Sequence, residues 1–281
     1  GLCGIGCASG MSATSLTIFT VAGAGDNVVS SSAIYGGTYN LFSTTLPKLG
    51  IECRFFDPDA PAEEIEKLID DKTKLIFTET IANPAIIVLD FDKIAKIADK
   101  YGVLFAVDNT LATPVLCRPK EFGAHIVIHS SSKYLDGHAA ALGGVIVDLG
   151  NFDFKGNPRY KSFNEPDESY HGLVYADLPV AFSTKCRAQM MRDFGAIMSP
   201  QNGFISYIGS DTLALRMERH SENAKKVAAY LKKHPKIEWI NHPSLPDNKY
   251  HALAQKYLPD GQGGMLSFGI KGSVEKCAAF M

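Results

Sequence analysis

In the stretch "HIVIHSSSKYLDGH", His125 to His138, an apolar run gives way to three serines and then a lysine, Lys133. An amine in that place can capture an aldehyde as a Schiff base if burial lowers its pKa. Two other apolar runs also end in polar groups. "LFAVD" ends in Asp108, followed by Asn109, and "KLIFTE" ends in Glu79 and runs into "TIANP", which contains Asn83. A carboxylate on a neighbouring strand can pair with a protonated pyridine nitrogen, and the hydroxyls of Ser130 and Ser132 suit a phosphate. Each residue alone has a plainer account. An Asp after an apolar run is commonly a helix N-cap, a serine cluster is commonly a turn, and a lysine is commonly a solvated charge. Taken together they supply an amine, an anion and phosphate donors, the groups that pyridoxal phosphate requires.

Two further segments fit that chemistry. In "ASGMSATSLTIF", Ala8 to Phe19, a serine and a glycine precede a helical apolar pattern. The free amides at Gly10 and Met11 of such a helix start can hold phosphate oxygens. The alternative is an ordinary Ser9 N-cap with nothing bound. In "SSAIYGGTYNLF", Ser31 to Phe42, Tyr35 precedes Gly36 and Gly37. That turn lets the ring lie flat on a ligand and the phenol move protons. Tyr39 lies in a more apolar stretch and reads as packing.

The elements that must position these residues are short β-branched runs alternating with amphipathic stretches. Strands are expected at Asn27–Ser31, Glu52–Phe56, Lys74–Glu79, Leu104–Asp108, Ile126–Ser130 and Gly144–Asp148. Helices are expected over Ala60–Asp71 and Phe91–Gly102, with Ile94, Ile97 and Ala98 on one face of the second and Gly102 as its stop. This alternation implies an α/β fold with a mainly parallel sheet sandwiched by helices, whose ligands sit beyond the carboxyl ends of the strands. Gly150–Asp177 reads as a long ordered loop and Asn202–Lys233 as one long helix. A second unit begins with strands at "KIEWI" and "GGMLSFGIKG". The expected division is a large domain over 1–205 and an incomplete, smaller α+β domain over 206–281. Both ends read as truncated, because the chain opens at Gly1 and stops within a helical pattern.

The 281 residues are 46% hydrophobic, enough for a sizeable core, with a formal net charge of −2. There is no global basic field, so nucleic acid is not an expected partner. No apolar run approaches a membrane span. Six cysteines scattered without C-x-x-C pairs or zinc spacing suggest a reduced, cytoplasmic protein and no metal site.

The motifs "SAIYGGTYNLF", "ETIANP", "FAVDNTLATP", "HSSSKYLDGH", "GGVIVD" and "RMERHSENA" resemble, in order and over nearly the whole chain, the Cys/Met metabolism enzymes. These are pyridoxal phosphate-dependent proteins of fold type I, the aspartate aminotransferase type. Within the family, "PDESYHGLVY" and "RDFGAIMSPQN" resemble the O-acetylhomoserine sulfhydrylase branch. The lyases tend to carry a cysteine where Gly37 stands. The resemblance implies that Lys133 holds the cofactor and moves protons, Asp108 stabilises the ring nitrogen, and Tyr35 stacks on the ring. Gly10, Met11, Ser130 and Ser132 would bind phosphate, and Asn83 would contact the phenolic oxygen or the substrate carboxylate. It implies a transferase of methionine and cysteine metabolism that replaces the acetate of O-acetylhomoserine with sulfide or a small thiol. It also implies a homotetramer built as a dimer of dimers.

Several departures from the family pattern stand out. Ser132 replaces a frequent threonine, Ala139 replaces a glycine after His138, and "SPQNGF" replaces "SPFNAF". An upstream Tyr-x-Arg segment that reaches the neighbouring subunit's phosphate, and a downstream carboxylate-clamping arginine, are not among these residues. A protein ending here is expected to turn over poorly. Rival readings are a methionine γ-lyase or a cystathionine γ-synthase or lyase, a Ser-x-x-Lys hydrolase using Ser130 and Lys133, a nicotinamide oxidoreductase, and a non-catalytic remnant of the fold. The hydrolase needs partner motifs, and the nearest is "SDT" at Ser210–Thr212 in a helical stretch. The oxidoreductase needs G-x-G-x-x-G after a strand, but Gly4, Gly6 and Gly10 do not give that spacing and no strand is expected before them. The histidines His129, His138, His171 and His220 read as structural, with His171 the exception that could approach the site.

Overall fold

Unbroken burial along the apolar runs decides the architecture. Leu104, Phe105, Ala106 and Val107 are all fully buried. Successive side chains of a strand point to opposite faces. Leu104 and Ala106 accordingly enter one core cluster, and Phe105 and Val107 enter another. A sheet with apolar cores on both faces is the middle layer of an α/β sandwich. Burying each large side chain contributes roughly 2 kcal/mol, so the central strands are the best-anchored part of the molecule.

The structure is a computed structural model and describes residues 1–280. The strands are β1 (Cys3–Cys7), β2 (Asn27–Ser31), β3 (Glu52–Phe56), β4 (Thr73–Glu79), β5 (Leu104–Asp108), β6 (Ile126–His129) and β7 (Gly144–Asp148). They form one sheet in the order β1-β7-β6-β5-β4-β2-β3. From β3 to β6 every pairing is parallel. β7 runs antiparallel to β6, and β1 antiparallel to β7.

One face is covered by the helix Gly10–Val21 together with the aromatic segment containing Phe154, Tyr160, Phe163 and Tyr175. The other is covered by the helix Phe91–Tyr101, whose Phe91, Ile94, Ile97 and Ala98 are buried. That helix is capped by the Asp90 side chain, which accepts from the Lys93 amide, and it ends at Gly102 in the left-handed conformation. A second, antiparallel sheet joins β8 (Ile237–Asn241) to β9 (Ser267–Ile270). Between them, Ala254, Tyr257 and Leu258 pack into the same core cluster as Phe91.

Four expectations are corrected. The glycine-bearing "CGIGC" is an edge strand, so a strand does precede Gly10. The helix expected over Ala60–Asp71 is a short one, Ala62–Glu66. The segment Gly150–Asp177 contains short helical turns at Pro158–Tyr160 and Lys161–Asn164. The single helix expected over Asn202–Lys233 is two, Pro200–Ser210 and Leu213–Lys232. Arg216 accounts for the break. Its guanidinium donates to the Gly209 carbonyl (2.7 Å) and to the Thr212 hydroxyl (3.0 Å), taking a helix-end acceptor that a continuing helix would bond itself.

Candidate active site

The parallel strands deliver their last residues to one end of the sheet, and the candidate residues meet there. Gly10, Met11, Tyr35, Asn83, Asp108, Ser130, Ser132 and Lys133 all line one cavity of about 670 Å³. They come from five separate segments of chain, and every site residue predicted from the sequence is among them.

The floor is built from the ends of β4, β5 and β6. Asp108 closes β5 and receives the Thr110 amide on its carboxylate (2.9 Å). The Thr110 hydroxyl in turn accepts the Ser130 amide (2.8 Å), which ties the turn after β5 to the turn after β6. Behind this, buried Asn109 accepts from the Thr80 hydroxyl (2.7 Å) and donates to the Cys117 carbonyl (2.9 Å). Glu79 ends β4 directly beside Asp108 in the strand register. Desolvation raises the pKa of both carboxyls, and their mutual repulsion adds to the rise at Glu79.

At one end of the cavity the helix Gly10–Val21 presents its amino terminus. Ser9 caps it, its hydroxyl accepting from the Ser12 amide (3.0 Å). Among the described residues the Gly10 and Met11 amides have no acceptor. Two unpaired amides at a helix start form an anion site. The Ser130 side chain closes on the same point: a Cβ at Gly10 would lie 2.6 Å from Ser130 Cβ and 2.9 Å from its hydroxyl oxygen. Ser132 is engaged differently. Its hydroxyl donates to the Gly143 carbonyl (3.2 Å) and accepts the Gly143 amide (2.9 Å), closing the loop that follows Lys133.

Gly10→Ala is expected to weaken pyridoxal phosphate binding by about 10- to 100-fold. Overpacking costs about 1–3 kcal/mol, more than the gain of up to about 1 kcal/mol from alanine in a helix. Fluorescence titration of the cofactor measures this.

Tyr35 stands at the start of the short helix Gly36–Asn40 with its ring half exposed at the cavity wall. The ring folds back over Gly37, where a Cβ would come within 2.5 Å of Tyr35 Cε1. A side chain at that position therefore displaces the ring. Tyr39 does not line the cavity and stacks on Phe55 at 4.6 Å, as packing. Lys133 is exposed at the wall, where it opens a surface loop. Its ammonium makes no ion pair among the described residues.

Arg216 holds the next turn of that loop by donating to the Tyr134 carbonyl (2.7 Å). In the same loop Ala139 takes a left-handed φ of 54°, the geometry that a glycine adopts without strain.

Other residues belong to the lining as well, and His220, expected to be structural, is one of them. His220 and Met265 reach it from the later part of the chain, and Tyr134 packs on His220 at 5.2 Å between ring centres. His171 does not line the cavity; it ends a short helical turn with φ 57°. His129 is buried, and burial pushes its pKa down to about 4, keeping it neutral. The "SDT" triplet falls at the break between two helices and contributes nothing to the lining.

The residues present fit pyridoxal phosphate. The unpaired amides and the closely fitted Gly10–Ser130 contact suit its phosphate, and Asp108 lines the same cavity.

Comparison with known proteins agrees with this chemistry. Residues 2–281 match the Cys/Met metabolism PLP-dependent enzyme family. A homocysteine/cysteine synthase of Kluyveromyces lactis is 45% identical over 275 residues, covering 96% of this chain and 62% of the relative. An O-acetyl-L-homoserine sulfhydrylase of Leptospira meyeri is 44% identical over 292 residues, covering 100% and 66%. A crystal structure from Campylobacter jejuni, named as an O-acetylhomoserine (thiol)-lyase and containing N'-pyridoxyl-lysine-5'-monophosphate, superposes with a TM-score of 0.92. It is 44% identical, covering 95% of this chain and 67% of that one. The chain thus spans just under two thirds of the length of these curated relatives.

Proposed function

We propose, from the premise that this chain belongs to the Cys/Met metabolism PLP-dependent enzyme family, that it replaces the acetate of O-acetylhomoserine with sulfide or a small thiol. The products are homocysteine or methionine, together with acetate. The observation that carries the proposal is the convergence of Lys133, Asp108 and the unpaired Gly10 and Met11 amides on one cavity. The relatives named for sulfhydrylase and homocysteine synthase activity support this branch of the family.

When bound, pyridoxal phosphate supplies an aldehyde for amines and a cationic ring that withdraws electrons from the carbons of the attached amino acid. The chain's residues do the rest. The Gly10 and Met11 amides and the Ser130 hydroxyl hold the phosphate, fixing the ring's depth in the cavity. Ser132, its hydroxyl engaged with Gly143, secures the loop on which Lys133 stands. Asp108 stays anionic and keeps the ring nitrogen protonated. Lys133 would hold the cofactor through its amine, and the same amine, when free, would take the proton from the α carbon and move protons at the β carbon. Tyr35 covers the ring and its phenol assists those transfers. Asn83 contacts the phenolic oxygen or the substrate carboxylate.

The proposal includes a homotetramer built as a dimer of dimers, in the cytoplasm, with a domain boundary near residues 205–206. Phe204, Tyr207 and Ile208 give the helix Pro200–Ser210 an exposed apolar face. Asn202 bonds that helix to the carbonyl of Leu142 on the cavity rim (2.9 Å). Light scattering tests the assembly, and a monomer at working concentration refutes it. The six scattered cysteines support the reducing compartment. No described helix is long and apolar enough to cross a membrane.

The deciding experiment incubates the full chain with pyridoxal phosphate and O-acetylhomoserine, with and without sulfide. Homocysteine formed only with sulfide is the expected result. 2-Oxobutyrate formed without an added nucleophile would reassign the chain to elimination chemistry.

A further inference from the structure

Glu79 is the one carboxylate of the cavity to which neither the sequence reading nor the proposed activity gives a task. It is buried, with 7% of its surface exposed. Its two oxygens face opposite ways. One accepts the Tyr35 amide (2.7 Å), from the turn that carries the covering ring, and the other accepts the Asn83 amide (3.3 Å), from the turn after β4. The Tyr35–Glu79 bond bridges segments far apart in the chain, so a single side chain joins two walls of the cavity. Its other neighbour is Asp108, directly opposite on β5.

We propose that Glu79 is a positioning residue of the cofactor pocket, which clasps the Tyr35 and Asn83 turns together and carries the proton of the β4–β5 carboxyl pair, leaving Asp108 as its anion.

Two buried carboxylates on adjacent strands cannot both be charged cheaply, and one raises the pKa of the other. A cationic ring bound at Asp108 relieves that repulsion, so occupation of the pocket and ionisation of the pair are linked. Besides Asp108, the titratable groups lining the cavity are Lys133 from the loop after β6, the Tyr35 phenol from the turn after β2, the Tyr134 phenol and His220. The amides of Tyr35 and Asn83 favour the charged form of Glu79, while burial and Asp108 oppose it. Leaving one buried amide unpaired costs enough to lower affinity about tenfold.

The inference rests on the proposed cofactor dependence, and its test separates the two. The full chain is stripped of pyridoxal phosphate and titrated with it from pH 4 to 9, as wild type, Glu79→Gln and Glu79→Asp. Gln keeps an oxygen for the Tyr35 amide but turns an amide NH2 toward the Asn83 amide, so its affinity at neutral pH should fall about tenfold. The ratio of wild-type to Gln affinity should rise further as pH passes about 8, where Glu79 ionises and adds a second anion beside the ring. Asp keeps the titrating carboxyl but is one carbon too short to span both amides, so it should lose affinity and keep the pH step. A purely structural Glu79 would give a ratio that does not change with pH. A Gln variant whose affinity follows the wild type in parallel at every pH overturns the inference alone. If Gln does not fold, an Asp variant with wild-type affinity does the same. Wild type that takes up no cofactor at any pH overturns both the inference and the proposed function.

Discussion

Lys133→Ala is expected to fold like the wild type and to lose at least about 10⁴-fold in activity, the upper end of what one positioned acid–base group contributes. Borohydride treatment should fix no pyridoxyl group on the variant, although it should do so on the wild type. The two halves of the expectation have separate causes. The Lys133 side chain is exposed and its ammonium takes part in no ion pair among the described residues, so truncation removes no buried contact. Substitutions of that kind stay within about 0.5 kcal/mol of wild-type stability. The phosphate cradle at Gly10, Met11 and Ser130 lies on other segments and is left intact, so the variant should still bind the cofactor without a covalent link. Lys133→Arg sharpens the test, because a guanidinium stays charged and can neither link to an aldehyde nor accept a proton. It should be as inactive as alanine. Thermal melts, borohydride reduction followed by mass mapping, and turnover assays check the three expectations. An active Lys133→Ala would sink the proposed function.

The sequence revealed the site more fully than it revealed the relations between site residues, and the reason is physical. β2, β3, β5 and β7 were legible to the residue because short runs of β-branched and aromatic residues lie between turn formers. The helix start at Ser9 was legible because capping is a local interaction. β1 was not, since "CGIGC" carries two glycines and forms only by pairing with β7, which lies far along the chain. The direction of β7 was equally hidden, because a short apolar run reads the same in a parallel or an antiparallel pairing. Glu79 appeared as the end of a strand, but its meaning depends on the register that sets it against Asp108 and on a bond to the Tyr35 amide. His220 stands on a helix whose spacing gives a face but not what that face meets, and only the packing of the chain's later part brings it to the cavity. Lys133 was legible as a candidate, but its exposure was not. Its loop is held at the surface by Ser132 and Arg216, and no periodicity announces those bonds.

Asp108→Asn is expected to lower kcat by about 10²- to 10³-fold, the scale on which a preorganised charge stabilises a developing one. It should leave the borohydride-fixable link at Lys133 in place, which is how this variant differs from Lys133→Ala. The argument starts from the floor of the cavity. The Thr110 amide that donates to the Asp108 carboxylate will donate equally well to an asparagine oxygen, so the turn joining β5 to β6 should keep its geometry. What changes is charge. A neutral amide gives no reason for the ring nitrogen to stay protonated, and the ring then draws electrons poorly from the substrate's α carbon. The substitution also removes one of two neighbouring buried carboxyls, so repulsion at Glu79 falls and the melting temperature should not drop. A variant slow in turnover yet at least as stable as wild type trades stability for function, the pattern expected where an active site keeps an unfavourable charge because the chemistry needs it. Asp108→Asn with wild-type kcat would remove the electron-withdrawing role from Asp108. An inactive variant that also melts early would mean that the carboxylate serves the fold, with no evidence left that it serves the reaction.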